Sequence, residues 1–510
     1  MRRISLTLAL GIWGVAGAAQ QPLSAIDWLD EASTAAISTP QQTPLDDPPV
    51  AGSVTTPKVN VMALGTAHPD AVGLLPSRAT GLPRTLWQGS STSDLLRLLS
   101  RLSSEPLPAI QALYYTLLLA EADAPDDTSA GARFLLARLA ALRRVGAVDP
   151  ALALVERAGP ISETFFDQWL DLALLAGQED APCTELVRQP RLSKRFDARI
   201  FCTARNGDWQ TAALVYHSAA SLGALSAINT QLLAQFLDPE MIDETAPLDP
   251  PKTLSPLQFR LFEAVGTPLP TRSLPLAFAM ADLRGTSGWK AEVEAAERLA
   301  RTGALPAARL LGLYTERKPA ASGGVWDRVN AIQRLDSALD LGRGDAVAAA
   351  LPRAWSAAQS QHLEVTFAEL FAPRLNAIAL PDSSKALAFE IALLSQGYET
   401  AARTFTPSTA RDRFLSGLAS GAPPLQDAAS TLEQVIAAGF AQTEAAPAHQ
   451  ALLDRGQLGE AILRAAGKLD RASASGRAEI GDALATLRAV GLEDTARRAA
   501  LQLLLLSDDR

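Results

Sequence analysis

Glycine punctuates this chain wherever one helix-favouring run stops and another starts. Gly146, Gly177, Gly207, Gly303, Gly344, Gly397, Gly456 and Gly491 all stand at such breaks. A residue that ends a helix often takes the left-handed conformation, which only glycine adopts at little cost. Five residues after seven of these glycines comes an alanine: Ala151, Ala212, Ala308, Ala349, Ala402, Ala461 and Ala496. The exception is Gly177, with Pro182 at that place. A small side chain one turn into the second helix lets two helices of a hairpin approach closely near their turn. The pattern therefore predicts a chain of antiparallel helical hairpins.

The text between the glycines agrees. Leu135, Leu139 and Leu142 recur at helical spacing, with Arg133, Arg138 and Arg143 elsewhere on the wheel. Leu432, Val435 and Ile436 form a second apolar stripe, and Ile480, Leu484 and Leu487 a third. Glu294 with Arg298, and Glu297 with Arg301, sit four apart as solvent-facing helix pairs do. Ser255-Pro256 reads as an N-cap followed by a first-turn proline. Alanine and leucine, both helix formers, dominate from about residue 90 onward, and sustained strand alternation is missing. The expected fold class is all-α.

Asn206-Gly207-Asp208-Trp209-Gln210-Thr211-Ala212 and Gln396-Gly397-Tyr398-Glu399-Thr400-Ala401-Ala402 are the fullest copies of the turn. This junction resembles that between the two helices of tetratricopeptide-type repeats, and Gly146, Gly177 and Gly207 lie close to that family's spacing. The Trp, Leu-Gly and Tyr positions of the usual first helix are absent. The resemblance implies a degenerate α-solenoid over residues 90–510, with a concave surface suited to a protein or peptide partner. The whole chain also resembles uncharacterised exported proteins of alphaproteobacteria, which implies no particular activity.

The N-terminus carries an address. Arg2 and Arg3 precede the uncharged apolar run Ile4 to Val15, and Ala16-Gly17-Ala18 supplies small residues for cleavage. The expectation is a signal peptide over 1–18, cut near Ala18/Ala19, and a periplasmic mature protein without a stable membrane span. Residues 19–89 read as a flexible, then extended, Pro- and Gly-rich segment laid against the folded body. Within it, 23–30 reads as a short amphipathic helix presenting Ile26, Trp28 and Leu29 to a partner or to the first repeat. The Pro-rich, acidic stretch 238–256 suggests a joint between one helical array at 90–237 and another at 255–510. Residues 406–424 read as an irregular loop.

Of the 510 residues, 46 are Lys or Arg and 55 are Asp or Glu, a net charge of -9. An acidic chain without clustered bases does not bind phosphate backbones, so nucleic acid is excluded as a partner. The four histidines, His68, His217, His362 and His449, lack the spacing of a helical metal site. No phosphate-cradling glycine loop and no nucleophile elbow occurs, and Ser287-Gly288-Trp289-Lys290 is a lone S-x-x-K. Trp326, after Gly323-Gly324, could face a ligand or anchor packing. No catalytic, metal or cofactor residue is therefore assigned. Cys183 and Cys202 flank the break at Gln189-Pro190 at similar distances, which would set them level on neighbouring antiparallel helices. An oxidising compartment would join them in a disulfide. Two function classes follow. The first is an exported scaffold or adaptor for a protein or peptide of the cell envelope. The second is an envelope enzyme acting on peptidoglycan or another glycan, which would require a groove with two facing carboxylates.

Overall fold

Helix after helix, joined by short turns, makes up the computed structural model, which describes residues 68–128, 131–238, 240, 248–471 and 476–506. These residues form 25 α-helices and a few 3-10 turns. The single β-type pairing among them is an isolated bridge between Leu75 and Ala120. The class is all-α. None of the described helices is long and apolar enough to cross a membrane. The signal peptide and the 23–30 segment with Ile26, Trp28 and Leu29 lie outside the described residues.

The glycine turns work by register. Gly146, Gly207, Gly456 and Gly491 have φ of 79°, 90°, 72° and 85°. The next helix begins two residues later in each case, at Val148, Trp209, Leu458 and Glu493. The alanine five past the glycine is then the fourth helical residue. Ala151, Ala212, Ala461 and Ala496 are all fully buried there. The other positions differ for the same reason. After Gly303 the helix waits until Ala307, so Ala308 falls in its outer first turn and is exposed. Gly344 opens its helix rather than ending one, Ala349 is exposed, and the left-handed residue is Gly342 with φ 63°. Gly397 caps its helix with φ -86°, outside the left-handed region.

Sequential helices pack as neighbours, among them Val325–Asp340 on Gly344–Gln359 and Phe196–Arg205 on Trp209–Ser221. Glycines bring Thr431–Ala441 and Arg477–Ala489 together: a Cβ on Gly439 would stand 2.7 Å from the Gly481 carbonyl oxygen. Other contacts join distant parts of the chain. Pro108–Leu119 packs on both Leu458–Asp470 and Glu493–Leu505, and Thr92–Ser100 also meets Leu458–Asp470. The Gly459 N–H donates to the Leu86 carbonyl at 2.9 Å, and the Ala109 N–H to Gln502 Oε1 at 2.8 Å. The described helices on either side of 238–256 also pack on one another. Ala227–Leu237 packs on Pro256–Ala264, and Gln258 Nε2 donates to Asn229 Oδ1 at 2.8 Å. Ser255 caps that helix with Pro256 in its first turn, and Gln258 completes a capping box.

The Pro-rich leg at 68–89 follows the body through backbone bonds from Leu74 and Leu75 to the Leu119 carbonyl. It is not extended throughout. Ser77–Thr80 makes one helical turn, because Pro76 occupies the N-cap, where its missing N–H is no loss, and Gly81 ends the turn with φ 71°. Arg138 fastens this leg. It lies inside the core, with 0% exposure. Its guanidinium donates to four carbonyls, those of Leu118, Val72, Ala120 and Asp70, at 2.8, 2.8, 3.0 and 3.2 Å. Burial draws its pKa down to about 10 and the nearby Asp70 carboxylate raises it, so the charge persists at neutral pH. Asp70 itself accepts from the Leu135 N–H at 2.7 Å and from the Thr128 hydroxyl.

The helix Trp289–Arg301 departs from its sequence reading as well. Its expected exposed pairs do not form, because neighbours cover the helix on several sides. Glu297 is buried and takes Arg328 at 2.6 Å and the Tyr314 hydroxyl at 2.9 Å. Arg298 donates to the Thr271 and Leu274 carbonyls, while Glu294 meets Lys290 at 3.8 Å.

Candidate functional site

Where Pro108–Leu119 meets the rest of the molecule it leaves a cleft of about 220 Å³. This helix contributes Pro108, Gln111, Ala112 and Tyr115, one stripe at i, i+3, i+4, i+7. The turn after Gly344–Gln359 and the helix Glu364–Asn376 contribute His362, Val365, Thr366 and Glu369 at the same spacing. The end of Trp289–Arg301 adds Arg301 and Thr302, and Glu493–Leu505 adds Arg498. The walls are firmly held. The Tyr115 hydroxyl donates to the Thr302 carbonyl at 3.0 Å, and the buried Thr302 hydroxyl reaches the Val145 carbonyl at 2.8 Å. The bond from Ala109 to Gln502 gives a helix N-terminus a partner from the far end of the chain.

Several of the lining residues bring polar groups that are largely buried. Gln111 is 3% exposed and its amide lies against the Tyr115 phenol. Arg498 Nε and His362 Nδ1 are buried without a hydrogen-bond partner. Burial pushes the Tyr115 phenol well above its ordinary pKa, against lowering by Thr302 and the neighbouring Gln111 amide. Glu369 is open to solvent as a residue, but burial of its carboxyl still raises its pKa, against the lowering charge of Arg498. The ion pair of Arg498 is with Asp494, at 3.9 Å, not with Glu369.

His362 is held there at a cost. It stands three residues past Gln359, in the left-handed conformation that Gly146, Gly207, Gly456 and Gly491 take in their turns, and its φ is 52°. The Leu363 N–H closes the turn on the Ala358 carbonyl. A side chain in this conformation costs about 1–2 kcal/mol. Strain of this kind gathers where a side chain is needed.

The residues singled out by sequence lie elsewhere. Cys183 and Cys202 sit on Asp180–Arg188 and Phe196–Arg205, both buried, as a bonded pair with Cα atoms 4.7 Å apart. Ser287 is tied to Asp282 at 2.9 Å while the exposed Lys290 meets Glu294, so the S-x-x-K residues are not joined in a site. Trp326 packs on Trp289 with ring centroids 4.7 Å apart. His68 caps a turn, His217 is exposed and His449 bonds the Thr486 hydroxyl at 2.8 Å. No group of three or more metal-binding side chains gathers among the described residues. The cleft supplies one lining carboxylate, Glu369, and not a facing pair.

Sequence reasoning missed the cleft because its residues come from four segments spread between 108 and 498. Two signals were available. Gln111 interrupts the apolar helix Pro-Ala-Ile-Gln-Ala-Leu-Tyr-Tyr, and His362 stands where a turn of this kind takes glycine. Comparisons with protein-family models, with curated proteins and with solved structures give no match.

Proposed function

We propose that the chain is an exported helical scaffold or adaptor of the cell envelope, built from degenerate tetratricopeptide-like hairpins in the manner of an α-solenoid. It binds a protein or peptide partner at the Gln111–His362–Arg498 cleft. The observation that carries this reading is a cleft of about 220 Å³ lined from four separate segments, with Tyr115, Arg301, Thr302, His362, Glu369 and Arg498 among its lining residues. Export is supported by the Arg2-Arg3 start, the apolar run and the Ala16-Gly17-Ala18 segment.

Crosslinking and pull-down of the native protein from envelope fractions tests the reading, with Ala112→Trp as the control. Ala112 lines the cleft and is exposed, so the larger ring fills the cleft without entering the core. Partner capture should be lost in the variant. Equal capture by both proteins would overturn the cleft as the binding site.

A further inference from the structure

Charge is missing from one hairpin on the surface of the molecule. From Trp209 to Leu237, 29 residues pass without an Asp, Glu, Lys or Arg, the longest such run in the chain. Charged residues make up 20% of the sequence, so a stretch of that length would ordinarily carry about six. The run forms the helices Trp209–Ser221 and Ala227–Leu237. An uncharged helix belongs inside a protein. Pro108–Leu119 is such a case, with seven of its twelve residues buried. Trp209–Ser221 buries only Ala212 and Ala219, and it packs mainly on Phe196–Arg205 and Ala227–Leu237. Leu214 and, at the C-cap, Leu222 are 67% and 78% exposed, and Trp209 is 48% exposed. These are three of the seven exposed large apolar side chains among the described residues. The serines of this face spend their protons within the helix. Ser218 stands midway between the two leucines and donates to the Leu214 carbonyl at 2.9 Å, and Ser221 donates to the His217 carbonyl at 2.8 Å. Neither hydroxyl needs an acceptor from a partner.

The lack of charge selects the occupant. A different protein gains much of its specificity from complementary charge, and this face has none to complement. An anionic membrane would require clustered Lys or Arg. A second copy of the chain requires the reverse. Around a two-fold axis a face meets its own image, so any charge near the axis meets its like. With a net charge of -9, faces bearing charge repel their images. At physiological salt only charges within about 8 Å count, and here there are none on either helix. The face is also self-complementary, since Leu214, Ser218 and Leu222 are evenly spaced four apart. We propose that two copies of the chain associate through Trp209–Ser221, packed antiparallel on the same helix of the other copy with the two-fold axis at Ser218. Leu214 of each copy lies over Leu222 of the other, and the small Ser218 at the crossing lets the helices approach closely. No residue of this hairpin lines the cleft at Pro108–Leu119, so the proposal stands apart from the cleft as a binding site.

Sedimentation velocity of the full chain tests it. One helix face is a small interface, so the transition from monomer to dimer should fall between about 1 and 100 μM. Leu214→Glu buries an unpaired carboxylate against Leu222 and should raise the dissociation constant about a hundredfold or more, and Leu222→Arg should do the same. The double variant Leu214→Glu/Leu222→Arg sets each new acid beside the new base of the other copy and should associate again, within about tenfold of the parent. Both positions are exposed in the monomer, and circular dichroism melts confirm that the variants fold. A second readout does not rely on weakening. The native cysteines are already paired, so Ser218→Cys supplies a single free thiol at the axis, and mild oxidation should yield a covalent dimer on a non-reducing gel. A parent that stays monomeric throughout the range would overturn the proposal, as would Leu214→Glu associating as tightly as the parent. A double variant that stays apart, or Ser218→Cys that fails to crosslink while the parent dimerises, would overturn the antiparallel pairing. A monomer that floats with neutral phosphatidylcholine vesicles, and loses this in Leu214→Glu, would make the face a lipid contact and overturn the proposal too.

Discussion

At the scale of single residues, two histidines show opposite uses of one side chain. His362 pays for its position in backbone strain. Replacing it with glycine should relieve the left-handed turn, and the net gain is up to about 1 kcal/mol once glycine's extra unfolded-state entropy is counted. Urea unfolding of His362→Gly should therefore show a midpoint at or above the parent's, and a clear fall would show that the imidazole supports the fold. His449 is a packing residue. Thr486 donates its only hydroxyl proton to the Asp482 carbonyl at 2.8 Å, so its oxygen must accept from His449 Nδ1, which carries the proton. Burial lowers the His449 pKa, Asp482 raises it, and Arg464 and Lys468 lower it. The folded value thus lies below the ordinary 6.5. The unfolded chain takes up its proton first as pH falls. Stability is full above that value and declines as pH drops from it toward the folded pKa. His449→Gln keeps an N–H donor without titrating. Thermal melts between pH 7.5 and 5 should show the parent losing more stability than the variant; parallel curves would refute this account.

At the scale of elements, the disulfide ties two consecutive helices of a hairpin, 19 residues apart in sequence. Closing a loop of that size stabilises a fold by about 2–4 kcal/mol. Thiol labelling of the denatured, unreduced protein should find no free thiol, and reduction should lower the melting temperature; labelling of both cysteines would contradict the pairing. Helices of this kind were legible where period and caps agreed. Leu135, Leu139 and Leu142 are indeed buried, and Ser255 caps its helix. Elements with short or broken apolar stripes were harder. The stretch 406–424 reads as a loop, yet it contains the helix Ala410–Ala419, started by a capping box between Thr409 and Asp412. The place of Arg138 in the core is not legible in its sequence, because polarity alone cannot show that four carbonyls await a guanidinium. The cleft was illegible because no local period links Gln111 to Arg498. Their proximity depends on how distant helices pack.

At the scale of the folded unit from Met62 onward, the distinguishing feature is that its last helices return to its first. In an open repeat array each unit touches only its neighbours, so terminal helices fray independently. Here Glu493–Leu505 supports Pro108–Leu119, and the side-chain Oε1 of the buried Gln502 receives the Ala109 N–H at 2.8 Å. Leu458–Asp470 meanwhile holds the Leu86 carbonyl through Gly459, whose Cβ position is filled by the Trp87 ring. Opening the C-terminal helices therefore strips one wall from the N-terminal ones and dismantles the cleft that both build. The expectation is that these distant helices unfold as one cooperative unit. Native-state hydrogen exchange read by mass spectrometry should give peptides spanning 108–119 and 493–505 the same opening free energy, with the same dependence on denaturant. Gln502→Ala should lower protection in both together, because the Ala109 N–H is left buried and unpaired, a loss of about 1–3 kcal/mol. If 493–505 exchanged first while 108–119 kept its protection, the molecule would behave as an open array, and the contacts between its first and last helices would add nothing to its cooperativity.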